Sequence, residues 1–208
     1  ISVMVNEEDH IRIQAMTAGF DLDKAYDTAD KIDTVLENSL EYAFSEKYGY
    51  LTSCPTNVGT GMRASVMMHL PALCMTGDIS RVINSVSKFG VAVRGLYGEG
   101  SKARGDIFQI SNQITLGISE QETINNLKSV AESIIERETE VRMRLREENI
   151  IKLADRLWRS YGILKNAQVL SSDEFMKLAS DVRLGAVMGI IGSVNTETLN
   201  ELETAVQP

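Results

Sequence analysis

Apolar and polar residues alternate with a period of two in several stretches of the first 115 positions, and recur at helical spacing through most of the remaining chain. Ile1 to Val5 opens the chain as an apolar strand pattern. Ile11, Ile13 and Ala15 then alternate with Arg12, Gln14 and Met16, which predicts a half-buried strand with Arg12 on its polar face. Met62, Ala64, Val66 and Met68 alternate with Arg63, Ser65, Met67 and His69 in the same way. Val91 and Val93 lead to Arg94 on the face opposite both, and residues 107–114 form a further strand candidate. Between these strands, Leu22, Ala25, Ala29, Ile32, Leu36, Leu40 and Ala43 predict an amphipathic helix with Gly49 beyond its end. A shorter helix covers Ile79, Val82, Ile83 and Val86 and is closed by Gly90.

The second half reads as helices. Ser119 with Glu122 is a capping box, and Ile124, Leu127, Ala131, Ile134 and Val141 carry the apolar stripe behind it. That stripe continues through Leu145, Ile151 and Leu157 to Trp158, with a break expected near Glu147-Glu148-Asn149. Ser171 with Glu174 opens another helix, and Thr196 to Leu199 a last one. Strands first and helices afterwards predict an α+β fold with an antiparallel sheet flanked by helices, rather than alternating βαβ units. The expected organisation is one domain over residues 1–208, strand-rich over 1–115 and mostly helical over 116–208. The start inside a strand pattern without methionine, and the end just after a helical pattern, suggest a piece cut from something longer.

Composition narrows the function classes. The net charge is −8, which argues against general nucleic-acid binding, since that depends on neutralising phosphates. No apolar run approaches the ~18 residues of a membrane span, and the opening residues lack a basic region and a cleavage site. Two cysteines, Cys54 and Cys74, make no disulfide framework and fit a reduced, cytoplasmic setting. Two histidines are too few for a histidine-rich metal site, so no protein-held metal is expected and any metal arrives with a substrate.

Three segments concentrate the candidate chemistry: Asn6-Glu7-Glu8-Asp9-His10-Ile11-Arg12, Cys54-Pro55-Thr56-Asn57-Val58-Gly59-Thr60-Gly61-Met62-Arg63-Ala64-Ser65, and Arg94-Gly95-Leu96-Tyr97-Gly98-Glu99. The glycine-rich turns match neither the P-loop nor the dinucleotide-binding pattern. A nucleotide would therefore be held by arginine side chains, whose forks match phosphate oxygens and stay charged. One strand arginine is ordinarily a surface ion pair; Arg12, Arg63 and Arg94 in three such segments depart from that. A guanidinium is a poor nucleophile that must be aligned and must lose a proton as it attacks phosphorus. Two carboxylates on different nitrogens, Glu8 and Glu99, can align it, and one can take the proton. Cys54, held extended by Pro55, could ionise opposite a guanidinium cation. By composition alone, Glu7-Glu8-Asp9 would be a solvated acidic turn and Cys54 a small core residue. His10 is expected to hold the turn by hydrogen bonds, and Cys74 to be a core residue.

In combination these segments, with Ile110-Ser111-Asn112 as a fourth match, resemble the ATP:guanido phosphotransferases, densely over residues 1–115. The resemblance implies a glutamine-synthetase-like catalytic domain with a large antiparallel sheet. It implies that Glu8 is the catalytic carboxylate, Glu99 the second one on the guanidinium, and Cys54 the substrate-side thiol. Arg12, Arg63 and Arg94 become phosphate ligands, with Arg63, Ala64, Ser65, Val66 and Met67, and Arg94, Gly95, Leu96, Tyr97, Gly98 and Glu99, lining ATP with its Mg2+. Met67 stands where small-molecule kinases of the family often have histidine, and Gln109 replaces their aspartate.

Met67-Met68-His69-Leu70-Pro71, residues 108–113, Leu157-Trp158-Arg159-Ser160-Tyr161-Gly162 and Ser180-Asp181-Val182-Arg183-Leu184-Gly185 resemble the bacterial protein arginine kinases within the superfamily. That implies transfer of the ATP γ-phosphate to arginine side chains of proteins, marking them for Clp proteolysis and serving heat-shock control. Implied partners are arginine-bearing protein substrates, a zinc-finger activator protein, a heat-shock repressor and the Clp protease system, with no nucleic acid and no membrane; homo-oligomerisation is left open. The alternatives are a kinase for free arginine or another small guanidino compound, and a non-catalytic nucleotide-binding regulator. Two further phosphate-binding arginines and a phosphoarginine-docking motif that the family carries are expected outside this chain.

Overall fold

A computed structural model of the chain describes residues 1–95 and 104–206. Strands β1 (Ser2–Val5), β2 (Ile11–Gln14), β3 (Phe44–Ser45), β4 (Gly49–Tyr50), β5 (Ser65–His69), β6 (Val91–Gly95) and β7 (Ile107–Asn112) all lie in the first part of the chain. Among them lie α1 (Leu22–Glu37), α2 (Pro71–Thr76) and α3 (Ile79–Val86), and after them α4 (Glu120–Asn166), α5 (Ser172–Val187) and α6 (Thr196–Ala205). The α+β class is therefore as expected. Among the described residues the strands form three small sheets, β1-β2, β3-β4 and β5-β7-β6. β1 and β2 are antiparallel with Val5 opposite Ile11 and Met4 opposite Arg12. β5 and β7 also run antiparallel, since Leu70 N–H donates to the Asp106 carbonyl while Asn112 N–H donates to that of Ala64.

The chain divides into two compact units: Ile1–Val66 with Val86–Ala92 and Ile110–Glu132, and Met67–Ser85 with Val93–Gln109 and Ser133–Pro208. In the first, α1 packs beside β2 and Tyr50 meets the ring edges of Tyr42 and Phe44. The Tyr42 hydroxyl donates to Asp33 on α1 at 3.0 Å. Burial and that carboxylate push the Tyr42 pKa up to about 12. α1 stops at Glu37, short of the expected Leu40 and Ala43. The Asn38 side chain and backbone turn back onto the Thr34 carbonyl, and the residues after it join the aromatic cluster instead. The capping box at the start of α4 forms in both directions: Glu122 N–H donates to the Ser119 hydroxyl at 3.2 Å, and Ser119 N–H to the Glu122 carboxylate at 2.9 Å. These bonds hold the Glu122 pKa below the usual carboxylate range.

In the second unit, α5 and α6 enclose Phe175, Met176, Ala179, Val182 and Leu199. Leu153, Leu157, Leu184 and Ile191 form a neighbouring core. Burying one such side chain stabilises by roughly 1.5–3 kcal/mol. The expected break in α4 falls at Asn149, whose backbone is extended (φ −161°, ψ 76°) and whose side chain accepts from Lys152 N–H as a fresh N-cap. Helix α2 was not expected from periodicity. Pro71 starts it, and the buried Glu138 carboxylate accepts from Ala72 and Leu73 N–H, each at 3.0 Å, and from Arg142 Nε at 2.7 Å. A carboxylate on those orphan donors satisfies the helix N-terminus from another helix. β6 is buried on both faces at Val91 and Ala92 rather than alternating.

Candidate active site

The turn between β1 and β2 carries Glu7, Glu8 and Asp9. Asn6 takes a left-handed conformation (φ 57°) and donates its N–H to the His10 carbonyl at 2.9 Å, closing the turn. Asparagine tolerates that region better than most residues. Arg12 points its guanidinium back over the turn, with Nη2 at 3.1 Å from Glu8 and Nη1 at 3.3 Å from Glu7. The expected catalytic carboxylate and one expected phosphate ligand thus hold each other here. Both side chains are about half exposed, 50% and 44%, so the pair contributes at most about 1 kcal/mol and exchanges readily.

His10 holds the turn through its backbone carbonyl, and Asp9 ties the turn to a distant segment. Its carboxylate accepts from Ser53 N–H at 2.7 Å across 44 residues of sequence, tying the Glu8 turn to the residue before Cys54. This role was not legible in the sequence, where the only signal was the position of Asp9 inside a dense motif. Cys54 has an extended backbone (φ −90°, ψ 120°) before the 3-10 turn Pro55–Asn57, as the following proline dictates. Its thiol lies 3.0 Å from the Thr56 hydroxyl, and its carbonyl accepts from Thr52 at 2.8 Å. Cys74 sits on α2 in the other unit, where burial, above all, and the Asp106 carboxylate push its thiol pKa up.

Beyond Cys54 the chain is locked onto Thr115. Thr60 N–H donates to the Thr115 carbonyl at 2.9 Å, and the Thr115 hydroxyl reaches the Val58 carbonyl at 2.8 Å. Gly59 (φ 115°) approaches so closely that a Cβ there would stand 2.1 Å from the Thr115 carbonyl oxygen. This lock leads to Arg63, whose Nη2 donates to the Ser111 hydroxyl at 3.2 Å. Next to it, Asn112 accepts from Ala64 N–H at 2.8 Å and donates to the carbonyls of Met62 and Ile114 at 3.1 Å each. The fourth motif, Ile110-Ser111-Asn112, therefore has a physical task, which is to hold Arg63 and its strand.

Glu8, Arg12, Cys54, Arg63, Ala64, Ser65 and Val66 belong to the first unit, and Met67, Arg94 and Gly95 to the second. Met67 is exposed, Arg94 half-buried and Gly95 buried on its strand. Leu96, Tyr97, Gly98 and Glu99 lie outside the described residues. Among the described residues, no group of three or more His, Cys, Asp or Glu is placed to hold a metal ion, and no helix is long and apolar enough to cross a membrane. Two of the candidate groups, the Glu8 carboxylate and the Cys54 thiol, therefore stand on segments that the Asp9–Ser53 bond joins.

Known proteins resemble this chain both in sequence and in fold. Residues 1–141 match the family model described as "ATP:guanido phosphotransferase, C-terminal catalytic domain", and residues 150–208 that of the "Protein-arginine kinase McsB C-terminal domain". The chain is 57% identical over all of its length to a protein-arginine kinase of Caldanaerobacter subterraneus subsp. tengcongensis, covering 61% of that protein. It is 54% identical over all of its length to a protein-arginine kinase of Bacillus subtilis, covering 57% of it. The chain thus spans 57% to 61% of the length of these curated relatives. Among solved structures it resembles a lombricine kinase, with TM-score 0.58 and 30% identity, over 66% of this chain and 38% of that one. A duplicated taurocyamine kinase from Schistosoma mansoni with bound transition-state-analogue components aligns with TM-score 0.57 and 28% identity, over 83% of this chain and 24% of that one.

Proposed function

Because this chain belongs to the ATP:guanido phosphotransferase family, we propose that it is catalytic machinery of a protein arginine kinase, transferring the ATP γ-phosphate to arginine side chains of proteins. The observation that carries the mechanism is the Glu8 turn: its carboxylate already takes a guanidinium N–H, that of Arg12, at 3.1 Å, and Asp9 ties that turn to the Cys54 segment at 2.7 Å. A substrate guanidinium would replace Arg12 on Glu8, freeing Arg12 for phosphate oxygens. Bound Mg-ATP supplies the transferable phosphoryl group, with the metal carried by its phosphates.

In this reading Arg12, Arg63 and Arg94 hold phosphate oxygens, and Ala64, Ser65, Val66, Met67 and Gly95 line the nucleotide with Leu96, Tyr97 and Gly98. Glu8 and Glu99 orient the guanidinium and Cys54 faces it. The guanidinium nitrogen forms the N–P bond as the bond from the γ-phosphorus to the β-bridging oxygen breaks, ADP leaves, and the nitrogen's proton passes to Glu8. Base catalysis contributes ~10²–10⁴-fold and an arginine on the transferring group ~10³–10⁵-fold, so charge clamping carries at least as much of the acceleration as the base.

Protein-borne rather than free arginine is favoured by identity above half to protein-arginine kinases along the entire chain and by the second family match at residues 150–208. The reading implies a cytoplasmic stress-response enzyme whose partners are protein clients, a zinc-finger activator protein, a heat-shock repressor and the Clp protease system. The test is to incubate the full-length protein with Mg-ATP and either free arginine or an unfolded protein, and to follow acid-labile phosphate. Labelling of the protein alone is expected. Labelling of free arginine alone would make it a small-guanidine kinase, and nucleotide binding without transfer would make it a regulator.

A further inference from the structure

One hydroxyl on α5 joins the ends of two neighbouring strands in the second unit. Ser180, buried in that helix, donates to Asp106 Oδ2 at 2.7 Å, and Asp106 immediately precedes β7. With its only proton given to Asp106, the same oxygen accepts from His69 Nε2 at 2.9 Å. His69 is the last residue of β5. Two more α5 residues lie against the residues before Asp106. Asp173 pairs with Arg104 at 3.0 Å, and a Cβ on Gly105 would stand 2.8 Å from the Met176 carbonyl oxygen. Asp106 is itself left-handed (φ 55°), and its carbonyl accepts from Leu70 N–H at 2.9 Å. Aspartate, like asparagine, tolerates that region better than most residues.

This cross-link stands beside residues to which the proposed function gives a nucleotide role. Met67 lies two residues before His69 on β5, and Arg94 lies on β6, which is hydrogen-bonded to β7. We propose that Ser180 is a positioning residue for nucleotide binding: by fixing His69 and Asp106 to one helix, it sets the strand ends that present Met67 and Arg94. The inference rests on the nucleotide role of those two residues. It adds that residues 150–208, the part matched by a separate family model, support the ATP side of the reaction from inside the second unit.

The experiment compares full-length wild type with Ser180→Ala, Ser180→Thr and, as a packing control, Leu199→Ala, which loosens the α5–α6 core but makes none of the cross-link's hydrogen bonds. Losing a hydrogen bond to a carboxylate predicts a rise on the order of tenfold in the ATP Kd and KM for Ser180→Ala. KM for the arginine-bearing protein should stay within about twofold. Ser180→Thr keeps the hydroxyl and restores ATP binding, and Leu199→Ala lowers Tm with the ATP constants unchanged. Hydrogen exchange at the Leu70 amide, which donates to the Asp106 carbonyl, should accelerate more in Ser180→Ala than in Leu199→Ala, a readout independent of turnover. Unchanged ATP affinity or unchanged exchange in Ser180→Ala overturns the inference, as does an equal rise in both KM values. A wild type that binds ATP but transfers nothing overturns the proposed function and leaves this one standing if ATP affinity still falls in Ser180→Ala. A wild type that binds no ATP overturns both.

Discussion

His69 should give the fold a measurable dependence on pH. Burial, first, and then the cations Arg183 on α5 and Arg142 on α4 lower its pKa from 6.5 to about 3. Arg142 also donates to the His69 carbonyl at 3.3 Å, and the imidazole faces Ser180, behind which lies Asp106. The folded state therefore keeps the ring neutral where the unfolded chain would protonate it. Stability is full above the unfolded pKa and is lost as pH falls from about 6.5 towards about 3, at up to about 1.4 kcal/mol per pH unit for one proton. At pH 5 the loss is about 2 kcal/mol. Glutamine can keep an N–H on Ser180 without titrating, so His69→Gln should cost stability at pH 7.5 yet lack this slope. Urea unfolding followed by Trp158, the chain's single tryptophan and in the same unit as His69, from pH 7.5 to 4.5, reads the difference between the two proteins. Other groups shared by both, such as Asp78 and Glu122 with their lowered pKa values, cancel in that difference. Parallel stability–pH curves for wild type and His69→Gln would refute a neutral, buried imidazole.

Four further outcomes are expected. Glu8→Gln should lower phosphotransfer by at least ~10²-fold while the ATP Kd stays within about twofold, since its carboxylate addresses the guanidinium; a matching loss of ATP affinity in calorimetry would remove that role. Arg63→Ala should weaken ATP binding and turnover together, and Ser111→Ala, which removes only the partner of Arg63 at 3.2 Å, should weaken both by less, as steady-state kinetics can resolve. Mass spectrometry after limited iodoacetamide or peroxide should find Cys54 modified before Cys74, whose thiol pKa is raised, with Cys54→Ser removing peroxide sensitivity; Cys74 reacting first would count against the thiol assignment. Gly59→Ala should destabilise by about 3 kcal/mol or more in denaturant titration, because its φ of 115° and the 2.1 Å approach to the Thr115 carbonyl leave no room for a methyl group.

Features that depend on a few adjacent residues are legible in the amino-acid sequence by itself. The Ser119–Glu122 box, the Asn149 break, the Ser171 cap and the extension of Cys54 before Pro55 all stand in the fold as their local patterns require. Each is decided within one or two turns of backbone, where hydrogen-bond geometry and ring sterics leave few options. The motif segments likewise carried the family, since they are short and specific, and a match over residues 1–141 agrees with them.

Tertiary structure alone decided the choices made by side chains distant in sequence. Leu40 and Ala43 keep helical spacing, yet the packing of Tyr42, Phe44 and Tyr50 takes the chain out of α1. α2 exists because Glu138, 66 residues beyond Ala72, satisfies its N-terminus. Asp9 belongs by its neighbours to a solvated acidic turn, and only the fold sets Ser53 against it. His69, Asp106 and Ser180 lie far apart in the sequence with no pattern to connect them. A local motif records which group is present, whereas the partner that a buried or shared polar group must find is chosen only when the fold brings the two together and water is excluded.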